Sequence, residues 1–442
     1  MKYSRKVVQV VNGIFAAIDL GGTKTRVGAV LASEPGRVVL SASAPTVRED
    51  PDEGIKSIAS LLREIVSDVS KSTGGRNAEL LGVGVGAPGP LDIKERRLLA
   101  LPNLPKWRGF GIASALEREL GVRVTLENDA NAAAVGERMF GVGKEFEDFV
   151  YVTLGTGIGG ALILNGELYR GHWGGAGEIG HVQVDPDGPL CGCGRRGCVE
   201  ALAAGPAIEK AYGRPATEVF ALAASGDVKA RDVLETAGRA LGRGLALVFT
   251  VLDPQAVVFG GGMAKGNPLA LRFYLDACKE ELEKRAFLPA KRDIPHVVST
   301  LGVDAAILGA AWLAREEYLK ARETNRHRSG PMPKVVEKPW GKEVWWAHTP
   351  RYAGKTIYVN AGHSLSLQYH QRKAETMFFS SGEGTLYLGG EEIPIKPGLS
   401  VDIPPGTVHR VTARTDLVFH EASTPEVDDV IRLEDNYGRA RC

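Results

Sequence analysis

The chain has 442 residues, 44% of them hydrophobic, with 54 lysines and arginines against 53 aspartates and glutamates. This length allows about three units of about 150 residues, and the apolar content is sufficient for sizeable cores. The near-zero net charge argues against a nucleic-acid partner or an anionic membrane surface, and no apolar run in the sequence reaches the roughly 18 residues of a membrane-spanning helix.

The amino-terminal segment combines basic residues with an apolar run, as a signal peptide does. Gln9 and Asn12 interrupt that run, however, and cleavage after it would remove a strand that leads directly into Asp19. We therefore reject a signal peptide. Reduced cysteines at metal-binding spacing favour a cytoplasmic protein.

Up to about residue 320, apolar runs that end at glycine turns alternate with helical patterns. In chain order we predict strands and helices at 15–20 (strand), 55–69 (helix), 80–86 (strand), 130–140 (helix), 149–154 (strand), 230–251 (helix) and 256–259 (strand). Such alternation indicates an α/β fold.

The composition then changes over 322–334, a polar and charged stretch that is broken by proline, and we interpret it as a linker. Beyond it, short strands with glycine and proline turns are predicted at 354–359, 384–388 and 417–421, which indicates an all-β barrel or jelly roll. We therefore expect a first domain at 1–321 and a second at 335–442.

Two glycine-rich turns repeat within the first domain, Asp19-Leu-Gly-Gly-Thr-Lys24 and Thr153-Leu-Gly-Thr-Gly-Ile-Gly159. Each turn can direct backbone N–H groups at a phosphate, although a tight hairpin uses glycine for its backbone conformation alone. The repetition predicts two similar lobes that face a cleft. We place lobe 1 at about 1–127 plus 304–321 and lobe 2 at about 128–303.

One histidine and three cysteines lie in a short segment: His181, Cys191, Cys193 and Cys198. A disulfide is the alternative, but Cys191 and Cys193 are too close to pair comfortably. Imidazole and thiolate are the ligands that zinc prefers, and four of them close a structural site without an open coordination position. The segment predicts such a zinc site.

Three further segments are candidates for a pocket. The stretch 86–91 together with 101–103 forms rigid loops, Glu127-Asn-Asp-Ala-Asn131 opens a helix, and a strand ends at three glycines, 260–262. A helix N-cap is the alternative role for Asn128 or Asp129.

Together these segments resemble the ROK family of bacterial sugar kinases and sugar-responsive repressors, over roughly residues 12–320. The most specific match is Glu178-x-Gly-His181 followed by the three cysteines. The resemblance implies a two-lobed actin/hexokinase-like fold, ATP with Mg²⁺, and Asp129 as the catalytic base. It implies sugar contacts by Asn103, Asn128, Glu178, His181 and Glu200. It also places phosphate near Asp19, Gly21, Gly22, Thr23 and Thr156, and adenosine near Gly260, Gly261 and Gly262.

The repressors of this family carry an added amino-terminal helix-turn-helix module. Here only residues 1–14 precede the first predicted strand, which is too short for such a module. We therefore expect an enzyme rather than a repressor.

The second domain contains Gly362-x5-Gln368-x-His370-x4-Glu375 and, further on, Gly398-x5-Pro404-x-Gly406-x2-His409. This pattern resembles the two cupin motifs. The resemblance implies that Gln368, His370, Glu375 and His409 hold one divalent metal inside the barrel. The alternative is a barrel interior with a few satisfied polar residues.

Residues 335–438 more specifically resemble the cupin domain of type II mannose-6-phosphate isomerases, for example in Lys338-Pro-Trp-Gly341 and in 403–410. This chain departs from that family at Gln371-Arg372 and Thr376-Met377, where the family has histidine-rich residues and His-Trp. Arg372, Lys373 and Arg410 are candidate phosphate contacts or solvated surface charges.

The leading hypothesis is a bifunctional enzyme that phosphorylates a hexose, glucose or mannose, and isomerises mannose 6-phosphate to fructose 6-phosphate. The alternatives are a kinase whose cupin is a sensing or oligomerisation module, and a non-catalytic sugar-binding regulator. ATP or polyphosphate remains open as the donor. We expect hexose and hexose phosphate as ligands and a homodimer as the assembly.

Overall fold

The computed structural model describes residues 13–72, 79–99, 101, 103–287, 293–328 and 333–438. It divides into two units, Met1–Lys320 and Ala321–Cys442. The amino-terminal segment for which we reject a signal peptide, and residues 329–332 of the predicted linker, lie outside the described residues.

Two five-stranded sheets of the same topology form the first unit. Its strands are β1 (Gly13–Leu20), β2 (Lys24–Leu31), β3 (Val38–Pro45), β4 (Glu79–Ala87), β5 (Leu91–Asp92), β6 (Arg97–Leu98), β7 (Val124–Asn128), β8 (Phe149–Leu154), β9 (Ile158–Leu164), β10 (Glu167–Tyr169), β11 (Ala256–Gly260) and β12 (His296–Val298). The strand orders are β3-β2-β1-β4-β7 and β10-β9-β8-β11-β12. In each sheet three antiparallel strands are extended by two parallel ones. This repetition confirms the predicted α/β fold.

The helices lie mainly between the strands of this unit. In chain order they are α1 (Pro51–Ser72), α2 (Ile112–Leu120), α3 (Asp129–Phe140), α4 (Val199–Ala203), α5 (Gly205–Tyr212), α6 (Ala216–Ala224), α7 (Val228–Leu252), α8 (Pro268–Arg285) and α9 (Asp304–Arg328). Helix α1 shows why they form, because its buried Ile55, Ile58, Leu62, Ile65 and Val69 recur every three or four residues. None of the helices within the described residues is long and apolar enough to cross a membrane.

Helix α9 packs closely against α3 and against the first sheet. A Cβ added at Gly136 of α3 would lie 2.2 Å from the carbonyl oxygen of Ala305, so a side chain there would force the helices apart. Ile307 of α9 is buried in one cluster with Phe15 of β1. The helix thus joins the core of the first sheet, and it continues to Arg328, into the stretch that the composition indicates as a linker.

The second unit consists of antiparallel strands in two sheets. They are β13 (Lys334–Lys338), β14 (Gly341–His348), β15 (Ala353–Val359), β16 (Leu367–Tyr369), β17 (Glu375–Ser381), β18 (Gly384–Leu388), β19 (Glu391–Ile395), β20 (Ser400–Ile403), β21 (His409–Ala413), β22 (Leu417–Ser423) and β23 (Ile431–Glu434). The orders are β13-β14-β15-β22-β17-β20 and β19-β18-β21-β16-β23. Alternate residues of these strands, such as Phe379, Leu386 and Phe419, form one buried core. The predicted all-β cupin-like domain is confirmed.

Candidate active site and metal centres

The carboxyl ends of the parallel strands β1, β4 and β7 bring three predicted segments together. Asp19 is in register with Gly86, and Gly86 is in register with Glu127. The glycine turn after β1, the proline-rich loop after β4, and Asn128 with Asp129 at the end of β7 therefore lie along one edge of the sheet. Open α/β sheets bind their ligands at this edge.

Helix α3 begins directly at this edge. Asn128 is its N-cap, and its Oδ1 accepts hydrogen bonds from the backbone N–H groups of Ala130 at 2.9 Å and Asn131 at 3.1 Å. Asp129 is the first helical residue and is partly buried. The N-cap alternative therefore applies to Asn128, whereas Asp129 presents a carboxylate at the positive end of the helix dipole.

Two carboxyl groups at this edge have perturbed pKa values. Burial raises the pKa of Asp129 above its ordinary value. Burial and repulsion from Asp129 raise the pKa of Asp19 to about 6, against an opposing effect of Arg26. Neighbouring carboxyl groups whose charged forms are disfavoured are typical of a functional cleft.

Glu178 approaches the same region from the second lobe. A Cβ added at Gly89 would lie 3.5 Å from Glu178 Oε1 and 3.6 Å from Asn128 Nδ2, so the carboxylate and the amide border one small space. Burial raises the pKa of Glu178, with His181 opposing this effect and Asp129 reinforcing it. The structure thus brings these predicted sugar contacts close to Asp129.

Two further predicted sugar contacts, Glu200 and Asn103, lie against the glycine turns. Glu200, in the first turn of α4, accepts a hydrogen bond from the backbone N–H of Ile158 with Oε2 at 3.0 Å. A Cβ added at Gly157 would lie 2.5 Å from the same oxygen. Asn103 is exposed and packs against Gly22, where an added Cβ would lie 2.6 Å from Asn103 Cβ.

Backbone hydrogen bonds close both glycine turns. The N–H of Gly21 donates to the carbonyl of Lys24 at 3.1 Å in the turn after β1, which also contains Gly22 and Thr23. In the turn after β8, which contains Thr156, the N–H of Gly155 donates to the carbonyl of Gly157 at 3.0 Å. Closed turns of this kind leave other N–H groups available for an anion.

Gly260, the last residue of β11, and the two glycines that follow it border the second turn. Gly261 has a φ of +88°, and an added Cβ would lie 2.4 Å from the carbonyl oxygen of Leu154 at the end of β8. At Gly260 an added Cβ would lie 2.0 Å from the hydroxyl of Tyr151, whereas at Gly262 it would meet nothing within 4 Å. A flat ligand can therefore approach the backbone at Gly262.

The four predicted zinc ligands converge. The ligand atoms of His181, Cys191, Cys193 and Cys198 all lie within 4.8 Å of one another. Cys193 Sγ is 3.6 Å from Cys198 Sγ, and Cys191 Sγ is 3.7 Å from His181 Nδ1. Zinc with sulfur ligands at about 2.3 Å gives tetrahedral edges of about 3.7 Å, so the donor set fits zinc. All four cysteines in the described residues are free thiols, not disulfides.

The geometry of this cluster also orients His181. Its Nδ1 faces the cysteines, which leaves Nε2 available for another partner. The backbone N–H of Arg195 contributes most to lowering the pKa of Cys193 to about 6, whereas burial raises the pKa of Cys198 to about 12. A buried thiol of this kind ionises when a metal binds it.

The cupin residues converge inside the second unit. Gln368 lies on β16 and His370 directly follows it, whereas Glu375 and His409 begin β17 and β21. The ligand atoms of the two histidines and the glutamate lie within 4.8 Å of one another. His409 Nε2 is 3.0 Å from Glu375 Oε1 and 3.5 Å from Gln368 Nε2.

Both cupin histidines are oriented to ligate through Nε2. His370 Nδ1 lies 2.5 Å from the carbonyl oxygen of Asp429, and His409 Nδ1 lies 3.0 Å from that of Thr407. Each carbonyl requires a protonated Nδ1, so the lone pair is on Nε2. Because His370 Nε2 is buried without a hydrogen-bond partner, the site fits a divalent metal better than a set of satisfied polar residues.

Lys373 differs from what the sequence suggests. It is neither a solvated charge nor a phosphate contact, because it is only 3% exposed and its Nζ donates to Glu375 and, at 2.6 Å, to Glu421. Lys355 Nζ lies 3.0 Å from the other carboxylate oxygen of Glu421. This row of alternating charges holds the Glu375 carboxylate in place beside the histidines.

Arg170, by contrast, is a residue that the sequence pattern did not single out. Its Nε donates to Glu127 Oε2 at 2.6 Å, across 43 positions of the chain. The one local signal for it is its place directly before the glycine-rich segment that leads to Glu178.

Known proteins match both units. The model of the ROK family matches residues 15–317, and that of the cupin domain matches residues 355–421. A glucokinase from Thermotoga maritima is 33% identical over 319 residues, which cover 68% of this chain and 96% of that protein.

Solved structures agree with this comparison. The ROK hexokinase from Thermus thermophilus is 36% identical with a TM-score of 0.58, covering 70% of this chain and 99% of that one. A ROK family glucokinase from Streptomyces griseus, in complex with glucose and AMPPNP, is 31% identical with a TM-score of 0.59, covering 69% of this chain and 100% of that one.

The fold and its cleft therefore define a two-lobed protein of the hexokinase-like class, followed by a cupin domain. The ROK family model covers more than half of the chain, and the glucokinase and hexokinase relatives are matched over nearly their whole length. The chain belongs to the ROK family, and the resemblance stated from the sequence is confirmed.

Proposed function

We propose that the first unit is an ATP-dependent hexose kinase that forms the 6-phosphate of glucose, mannose or both. The position of Asp129 carries this proposal, because its carboxylate lies beside Asn128 and close to Asp19 at the ligand-binding edge. A sugar hydroxyl is a poor nucleophile, so its phosphorylation needs a base at this place. A sugar-binding regulator needs the sugar contacts but has no use for a base.

In the proposed reaction Asp129 accepts the proton of the sugar hydroxyl as the oxygen attacks the γ-phosphorus in line. Backbone N–H groups of the two glycine turns stabilise the transferred phosphoryl group, and Mg²⁺ bound to ATP offsets phosphate charge. We assign the sugar to Asn103, Asn128, Glu178, His181 and Glu200. We assign the phosphates to Asp19, Gly21, Gly22, Thr23 and Thr156, and adenosine to Gly260, Gly261 and Gly262.

The donor set of His181 and the three cysteines supports a structural zinc in this unit. Zinc would supply a rigid tetrahedral centre there and would take part in no chemical step, because four protein ligands leave no open position. With Nδ1 directed at the cysteines, His181 presents Nε2 to a sugar hydroxyl.

Cys193→Ser is expected to remove this zinc and to raise the sugar KM by about 10- to 100-fold, because Glu178 and His181 lose their support. Zinc is counted by metal analysis of the full chain carrying His409→Ala, so that the cupin contributes none. About one zinc per chain is expected before the cysteine is changed.

The matched control is Cys278→Ala, which removes a free buried cysteine of α8 outside the cluster and should retain the zinc. If Cys193→Ser lost its zinc and still phosphorylated sugar with an unchanged KM, His181 would not depend on the metal for its orientation.

The pKa of Asp19 predicts the pH below which the kinase loses activity. Because that pKa is raised to about 6, the carboxylate is lost as the pH falls through 6 rather than near the ordinary value for aspartate. We expect kcat/KM for ATP to fall at least about tenfold per pH unit below about 6, because the proposed base Asp129, whose pKa burial also raises, loses its charge at acid pH as well. Unfolding at each pH is monitored by circular dichroism, and a flat profile down to pH 5 would contradict this role of Asp19.

We further propose that the cupin domain is a metal-dependent isomerase that converts mannose 6-phosphate to fructose 6-phosphate. Gln368, His370, Glu375 and His409 would hold the metal, which would place positive charge next to the sugar oxygens while a proton moves between C2 and C1. The convergence of these side chains and the buried, unpartnered His370 Nε2 support the metal. In the alternative, the same domain is a sensing or assembly module.

A phosphorylation screen tests the first proposal. The full chain is incubated with ATP or polyphosphate, Mg²⁺, and glucose, mannose, fructose or N-acetylated hexoses, and the products are identified by NMR. Transfer from ATP to the 6-hydroxyl of glucose or mannose is expected. Product that forms with polyphosphate but not with ATP would overturn ATP as the donor.

A further inference from the structure

One ion pair in the first unit joins two of the segments that carry proposed sugar contacts, the Asp129 turn with Asn128 and the loop that leads to Glu178. Arg170 Nε donates to Glu127 Oε2 at 2.6 Å. The Glu127 side chain is 4% exposed and the Arg170 side chain is 38% exposed, so the pair reaches from the protein surface to a buried carboxylate. Glu127 lies on β7 of the first sheet, whereas Arg170 directly follows β10 of the second sheet.

On the side of Glu127, the carboxylate supports the turn that carries the base. Its Oε1 accepts hydrogen bonds from the backbone N–H of Asn128 at 3.0 Å and from Asn131 Nδ2 at 2.9 Å. Asn128 in turn caps α3, whose first residue is Asp129. The orientation of this carboxylate therefore fixes the residue before Asp129 and the first turn of the helix.

On the side of Arg170, the backbone closes the loop that leads to Glu178. The carbonyl oxygen of Arg170 accepts a hydrogen bond from the N–H of Ala176 at 3.1 Å. Gly171 and Gly177, within and just after this loop, have φ values of +69° and +90°. The loop thus begins at Arg170 and delivers the chain to Glu178 and the zinc cluster.

We infer that Arg170 is a positioning residue that sets the distance between the Asp129 turn and the Glu178 loop. This inference rests on the proposed kinase function. Without the guanidinium, Glu127 Oε2 is left buried and unpaired. The carboxylate then lowers its free energy by turning toward water, and this movement withdraws Oε1 from the N–H of Asn128. Asp129 and Glu178 then no longer hold a sugar in one fixed geometry.

The inference predicts which kinetic constants change. A loss of positioning lowers kcat and raises the sugar KM, whereas ATP contacts other residues and keeps its KM. For Arg170→Met we expect kcat to fall by about 10- to 100-fold, the sugar KM to rise by about tenfold, and the KM for ATP to stay within about twofold. Arg170→Lys retains a cation and should recover part of kcat.

The control is Arg243→Met, which removes an equally exposed arginine from its ion pair with Glu281 between α7 and α8. This pair joins two helices that share one buried core in the second sheet's half of the unit, and neither residue belongs to the Asp129 turn or the Glu178 loop. We expect the kinetic constants of Arg243→Met to match those of the wild type. Adding Glu127→Gln to Arg170→Met should cost little more than Arg170→Met alone, because both changes break the same contact.

Steady-state kinetics and thermal unfolding of the full chain and these variants test whether Arg170 is a positioning residue. The inference is overturned if folded Arg170→Met keeps kcat and the sugar KM within about twofold of the wild type. It is also overturned if both KM values rise together, in step with a lower Tm, and Arg170→Lys recovers nothing. A wild-type chain that phosphorylates no sugar would overturn the kinase proposal first, and this inference with it.

Discussion

Asp129→Asn is expected to lower the turnover of hexose phosphorylation by about 10²–10⁴-fold. Asparagine keeps the size of the side chain and can still accept the hydrogen bond that Asp129 Oδ1 receives from the N–H of Ala130 at 2.8 Å. It cannot accept a proton, so the loss isolates the role of the base. Initial rates at saturating ATP and sugar measure the effect.

The matched control for this change is Asp227→Asn. Asp227 caps α7 by accepting a hydrogen bond from the N–H of Ala230 at 2.7 Å, so it tests the same substitution at another helix start. We expect its turnover to be unchanged. If Asp129→Asn were equally harmless, the residue would serve the helix alone and the proposed base would be wrong.

His409→Ala is expected to reduce the isomerisation of added mannose 6-phosphate by at least about 100-fold. Replacing a residue that only hydrogen-bonds to a metal ligand already lowers metal affinity or activity by about 10- to 100-fold, and His409 would be a ligand itself. Phosphorylation of glucose or mannose should be nearly unchanged, because the two sites belong to different units. Coupled assays for fructose 6-phosphate and for ADP separate the two activities. Metal analysis should show that the cupin metal is lost.

His420→Ala is the control for the cupin. His420 lies on β22 and its Nδ1 is 3.0 Å from Thr356 Oγ1, outside the group that could hold a metal. It should retain the metal and the isomerase rate. If the wild type, loaded with divalent metals, never interconverted mannose 6-phosphate and fructose 6-phosphate, the cupin would be a sensing or assembly module.

Local patterns in the sequence were sufficient to predict both architectures and most candidate sites. The turn that contains Gly21 follows β1 of the first sheet, and the turn that contains Gly155 follows β8, the equivalent strand of the second sheet, so the repeat in the sequence corresponds to the repeated sheet topology. The zinc ligands lie near one another in sequence, and their chemistry is specific. Both signals are local, which is why they can be read from a single chain.

The contacts that escaped prediction are pairings between distant residues. Lys373 stands between Arg372 and Ala374, and lysine is a residue type that usually lies at the surface. Only the fold brings Glu421 to it. Glu127 lies on β7 of the first sheet, whereas Arg170 follows β10 of the second sheet, and no sequence pattern links them. The linker was predicted to start at 322 from its polarity, but polar residues also continue a helix, and α9 ends at Arg328.

The most direct test of the account supplies the intact chain with mannose, ATP and Mg²⁺ and follows the phosphorylated sugars by NMR. The account predicts that mannose 6-phosphate appears first and that fructose 6-phosphate then accumulates. Asp129→Asn should form neither sugar phosphate from mannose, and His409→Ala should stop at mannose 6-phosphate. If the wild type formed no hexose phosphate from either mannose or glucose, the central claim of a sugar kinase would be contradicted.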